Sequence, residues 1–148
     1  MAKPKTQAQI DHATDARLLK KYGVGLAWYV SQLEKQGGGC AITGKPPGTK
    51  RLHVDHDHSW TKVKVGTIKV AGSPAPVWHA SARYLGRWFE SLSTTKRGAV
   101  REVKNSLKRA SVRGLLSYLA NVGLQKFGDN PAHLRAAAKY LEAHQGAA

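Results

Sequence analysis

Glycine and proline divide this chain into short pieces, and that division limits its fold more than any other feature. Gly23 and Gly25 follow the first helical pattern, and Gly37-Gly38-Gly39 ends the second. Thr43-Gly44 and Pro46-Pro47 mark a turn and a loop, Gly66 interrupts a β-branched run, and Gly72 to Pro76 reads as a loop. Glycine tolerates turn geometry that other residues avoid, and proline withholds a backbone donor. No apolar run approaches the roughly 20 residues that span a bilayer. Short strands followed by helices predict a small α+β domain. The 148 residues suit one domain, and 41% hydrophobic content supports a modest core.

Hydrophobic spacing places the elements. A helix is expected from about Ile10 to Lys21. Leu26, Tyr29, Val30 and Leu33 fall at i, i+3, i+4 and i+7, one buried helical stripe. Leu52 and Val54 alternate with His53 and Asp55, a short half-buried strand. Thr61 to Val70 changes apolar phase across Gly66-Thr67, which predicts a hairpin or a bulge there. Tyr84, Leu85, Trp88 and Phe89 suggest a helix from His79 to Ser91. The basic stretch Lys96 to Arg113 reads as helical in its middle, and residues 112–127 as another helix. Asn130-Pro131 supplies an N-cap and a first-turn proline for a last helix carrying Leu134, Ala137, Ala138 and Leu141.

Charge and cysteine content narrow the function. With 24 Lys+Arg against 9 Asp+Glu the formal net charge is +15, an excess that favours a polyanionic partner. Charge alone does not separate an enzyme from a passive, ribosomal-type binder. The single Cys40 excludes an intrachain disulfide. No apolar segment follows the basic N-terminus as in a signal peptide. The expectation is a soluble protein without a membrane partner, acting near nucleic acid in the reducing cytoplasm.

Asp55-His56-Asp57-His58 gathers two carboxylates and two imidazoles within four residues. A hard divalent cation takes oxygen ligands and retains waters. An imidazole accepts a proton from water near neutral pH. Phosphodiester hydrolysis uses both. Taken alone, the same four residues also fit a polar turn after a strand, and two histidines also suit Zn²⁺ if further ligands are found.

Leu52-His-Val-Asp-His-Asp-His58, followed by Ser111-Val-Arg-Gly-Leu-Leu116 and Asn121, resembles the recombination endonuclease VII family of phage HNH-type nucleases. Gln36-Gly-Gly-Gly-Cys-Ala-Ile-Thr-Gly44 and the tail from Gly123-Leu-Gln-Lys-Phe-Gly-Asp-Asn-Pro131 to Tyr140-Leu141 match as well. The resemblance covers most of residues 20–142. It implies a ββα-metal (His-Me finger) core with flanking helices in one domain, 1–148. It further implies a Mg²⁺- or Mn²⁺-dependent endonuclease acting on branched DNA such as Holliday junctions. The symmetry of a four-way junction favours a homodimer. By the same resemblance Asp55 and Asn121 are metal ligands, His56 is the general base, and His58 contacts the scissile phosphate or supports the metal site. Asp57 is assigned a supporting role rather than ligation.

Two departures stand out. The family's paired CxxC knuckles read here Cys40-Ala-Ile-Thr43 and Ser117-Tyr-Leu-Ala120. One thiol of four remains, so no structural Zn²⁺ is expected, and Cys40 is expected to be buried. Second, residues 59–110 form an insert of strand and helix carrying Trp60, Trp78 and Trp88, expected mainly to build a local core. Arg51, Lys96, Arg97, Arg101, Lys104, Lys108, Arg109 and Arg113 are candidates for DNA-backbone contact. The alternatives are a less selective HNH nickase and a catalytically inactive, basic DNA-binding protein.

Overall fold

The computed structural model describes residues 6–57 and 59–145. Its elements run α1 (Gln7–Tyr22), α2 (Leu26–Lys35), β1 (His53–His56), β2 (Lys64–Ile68), β3 (Val77–Tyr84), β4 (Arg87–Ser93), α3 (Lys96–Ser111), β5 (Val112–Leu116), α4 (Tyr118–Lys126) and α5 (Pro131–His144). This is an α+β fold with two small sheets, one ordered β1-β5 and one ordered β2-β3-β4. Among the described residues no helix is long and apolar enough to cross a membrane. The chain divides into two compact units, Met1–Gln32 with His56–Gly114, and Leu33–Asp55 with Leu115–Ala148.

The first unit is built around α3. Ala99, Val103, Leu107 and Ser111 recur every fourth residue, so they share one face, and all four are buried. That face covers Ala80, Ala82 and Tyr84, which alternate along β3 and so point to one side of the sheet. Thr95 starts α3 by accepting a hydrogen bond from the Gly98 N–H at 3.1 Å. Gly23 ends α1 in the left-handed conformation (φ 72°). A Cβ there would stand 3.0 Å from the Asn105 carbonyl oxygen, so glycine also permits the close approach of α3. Lys108 and Arg109 of α3 then donate to the Lys20 and Gly23 carbonyls at 2.9 and 3.1 Å. These carbonyls lie at the negative end of α1, where cations are favoured.

The second unit has a smaller apolar centre, with Cys40, Leu52, Val54, Leu115 and Leu116 buried. The Gln36 side chain closes it by donating to the Gly39 and Leu115 carbonyls and accepting from the Leu115 N–H, each at 2.9 Å. Helix α5 begins as its sequence predicts: Asn130 accepts from the Ala132 N–H at 2.8 Å and Pro131 occupies the first turn.

Three sequence expectations are corrected. Residues 79–91 are not a helix but most of the β3–β4 hairpin, in register from Trp78↔Ser93 to Tyr84↔Arg87. Leu85 and Gly86 both have positive φ (46° and 79°), which suits the two-residue turn of a twisted hairpin. Residues 64–68 form the single strand β2, paired with β3 in unbroken register from Lys64↔Ser81 to Ile68↔Val77, with neither a hairpin nor a bulge at Gly66-Thr67. Residues 112–127 are strand β5 followed by α4, because Val112 to Leu116 pairs with β1 before Ser117 caps the helix.

Candidate functional site

Leu52 and Val54 anchor the approach to β1 by burial on both sides of His53. Asp55 follows, and it too is buried, at 7% exposure. A carboxylate removed from water has to be matched by donors or by a cation. Asp55 lies in the second unit, as does Asn121 of α4. Asn121 is half-buried, and its N–H continues the helix by donating to the Ser117 carbonyl at 3.0 Å. The start of α4 meets β1 through a ring contact, His53 against Tyr118, centroids 5.5 Å apart. Strand and helix that carry the two expected ligands are thereby neighbours. Among the described residues no group of three or more His, Cys, Asp or Glu side chains is gathered as for an all-protein metal cage. Hard oxygen donors such as a carboxylate and an amide oxygen, few in number, suit a cation that retains waters.

His56, the next residue, belongs to the first unit. Its ring meets Tyr22 edge-on, centroids 5.0 Å apart at 78°. Tyr22 ends α1, and the Lys21 ammonium lies 5.0 Å from its ring. Such packing restricts the imidazole's orientation. No sequence signal pointed to Tyr22.

Asp57 is held by its own turn. Its Oδ1 accepts from the Ser59 N–H at 2.8 Å, and its Oδ2 from the Ser59 hydroxyl at 3.0 Å and the Tyr84 hydroxyl at 3.3 Å. Its N–H donates to the Ser111 carbonyl at 3.0 Å. Partial burial works against the charged carboxylate, but Ser59, the nearby Arg113 charge and Tyr84 hold it below the usual carboxylate range. Burial and the Asp57 charge push the Tyr84 phenol up. Both carboxylate oxygens are thus occupied by protein donors. Tyr84, reaching the turn from the insert, is a contributor that the sequence did not reveal. His58 lies outside the described residues.

At the knuckle position Cys40 is buried, with 1% exposure. Burial pushes its thiol up, but the Thr43 hydroxyl and the backbones of Ser117, Thr43 and Ile42 more than offset this and bring it to about 6. The Cys40 carbonyl accepts from the Gly44 N–H at 2.8 Å, and Ser117 accepts from the Ala120 N–H at 3.3 Å. Hydrogen bonds therefore bind this loop at the positions where the resemblance expects paired knuckles.

The cationic candidates separate by role. Lys108 and Arg109 are engaged with the end of α1. Arg101 is exposed and pairs with Glu102 at 3.3 Å, while Lys104 and Arg51 are exposed. Of the three insert tryptophans, Trp60 and Trp78 pack against the core, whereas Trp88 is 59% exposed.

The family model for recombination endonuclease VII matches residues 15–143, most of the chain. No curated protein and no solved structure gives a significant match.

Proposed function

Because the chain belongs to the recombination endonuclease VII family, and is therefore a DNA endonuclease, we propose that it hydrolyses phosphodiester bonds of branched DNA with the help of one divalent cation. The observation that carries this reading is the buried Asp55 at the end of β1, with α4 drawn against the same strand by the His53–Tyr118 contact. Asp55 and Asn121 would hold Mg²⁺ or Mn²⁺. The bound cation would supply charge stabilisation for the phosphate and the leaving oxygen.

His56 takes the proton from the attacking water, and the edge of Tyr22 restricts the ring while it does so. Asp57, saturated by Ser59 and Tyr84, keeps the turn after β1 in shape. His58 contacts the scissile phosphate or supports the metal site. The +15 charge draws in the polyanion. The knuckle's donors, with one thiol bonded by its own loop, do not fit structural zinc, which takes about four Cys or His ligands. A homodimer suits the two-fold symmetry of a four-way junction.

Purified protein with Mg²⁺ should cut four-way junctions faster than continuous duplex and lose all cutting in EDTA. His56→Ala should cut at least about a hundredfold more slowly. Equal cutting by wild type and His56→Ala would remove His56 from the mechanism. Equal cutting of duplex and junction would make the protein an unselective nickase. Tight, salt-dependent binding with no cutting in any divalent cation would make it a binder alone.

A further inference from the structure

We propose that the cavity beside β1 is a subsite for one unstacked nucleotide of the DNA, next to the phosphate that is cut; this rests on the nuclease reading above. The cavity measures about 540 Å³ and its walls belong entirely to the second unit. That volume lies within the roughly 300–1,000 Å³ typical of small-ligand sites. Its walls carry the chemistry that a nucleotide needs. Pro46 and Pro47 give rigid apolar surface, His53 and Tyr118 give two rings, and Lys50 and Arg51 give two cations. None of the described residues lining it is acidic. Tyr118 is 62% exposed, so its ring is not spent on the core. Aromatic faces stack any base, and lysine or arginine neutralises the attached phosphate.

The register of the elements ties the cavity to the cutting site. His53 and Asp55 are two residues apart on β1, so their side chains leave the same face, separated by about 6.6 Å of strand. Tyr118 and Asn121 are three residues apart on α4, so they lie on one side of that helix. The ring pair is thus offset from the proposed ligand pair by one step along each element. A base held at the rings sends its neighbouring phosphate toward Asp55 and Asn121. A continuous duplex has to be unstacked to fill such a site, at a cost that is smaller where pairing is already interrupted. The subsite therefore favours branch points and flaps over intact duplex.

The test uses the full chain and a four-way junction carrying 2-aminopurine at the branch nucleotide, first without a divalent cation, then with Mg²⁺. Binding of wild type should change the 2-aminopurine fluorescence. Tyr118→Ala should abolish that change and raise KM for the junction about tenfold, with kcat moved much less. Tyr118→Phe should behave as wild type. Lys50→Ala should lower the slope of log affinity against log salt by about 1. If Tyr118→Ala keeps the wild-type fluorescence change and KM while the protein still cuts DNA, the subsite is wrong and the nuclease reading survives. If Tyr118→Phe fails as Tyr118→Ala does, ring stacking is wrong. If no DNA is cut but the fluorescence change depends on Tyr118, the subsite stands as a nucleotide site and the nuclease reading falls.

Discussion

The two compact units cohere by different means. In Met1–Gln32 with His56–Gly114, a helix of alanine, valine and leucine at every fourth position seals one face of a three-stranded sheet. In Leu33–Asp55 with Leu115–Ala148, neither α4 nor α5 has a buried residue, and a few apolar side chains are supplemented by polar clamps at Gln36 and Cys40. Apolar burial is non-directional and tolerates sequence change if volume is kept. A buried hydrogen-bonded clamp is directional, and removing one partner leaves the others unsatisfied. The expected metal ligands Asp55 and Asn121 both lie in the unit of the second kind, whereas His56, the proposed base, belongs to the first.

The largest effect on stability should come from the apolar unit. Leu107→Ala removes a fully buried side chain from the α3 face and should cost about 2–5 kcal/mol, read by urea unfolding. A cost near zero would mean that this unit does not rest on α3 burial. In the other unit, Gln36→Leu leaves the Leu115 N–H and the Leu115 and Gly39 carbonyls without their clamp and should cost about 1–3 kcal/mol. A neutral Gln36→Leu would erase the contrast.

Cys40 sharpens the comparison through pH. Its folded thiol, at about 6, lies below its ordinary value of 9.0. The thiolate's contribution is therefore complete above the ordinary value and is lost as pH falls through about 6. Stability should rise with pH between these values, and Cys40→Ser should flatten the rise. An identical pH profile in the two proteins would contradict a stabilised thiolate. The smallest effect concerns two lysines of α3. Lys104→Ala should reduce the salt slope of DNA binding by about 1, whereas Lys108→Ala, whose ammonium is engaged with the Lys20 carbonyl, should reduce it less.

What was legible in the sequence was what local chemistry decides. Asn130-Pro131 starts α5, Gly23 ends α1, and the basic stretch forms α3, because caps and helical period act within a few residues. The β3–β4 hairpin was not legible, since Tyr84, Leu85, Trp88 and Phe89 are spaced as on a helix. The turn rests on Leu85 in a left-handed conformation that leucine rarely adopts, with Gly86 as the only local hint. Strand β5 carries no local strand signal, because its pairing with β1 brings together residues far apart in the chain. At the site, Asp55 and His56 form a cluster visible in the sequence, and Asn121 is marked only by family resemblance. Tyr22 and Tyr84 carry no signal, and Gln36 shows only as the start of a family motif and not as a clamp, because each is defined by a partner more than 25 residues away.

The central claim is that Asp55 and Asn121 hold one cation. Mn²⁺ binding to the full chain, followed by electron paramagnetic resonance, tests it without requiring cleavage. One bound ion per chain is expected in wild type, with binding at least about tenfold weaker in Asp55→Ala and in Asn121→Ala. Unchanged Mn²⁺ affinity in both variants would contradict the account.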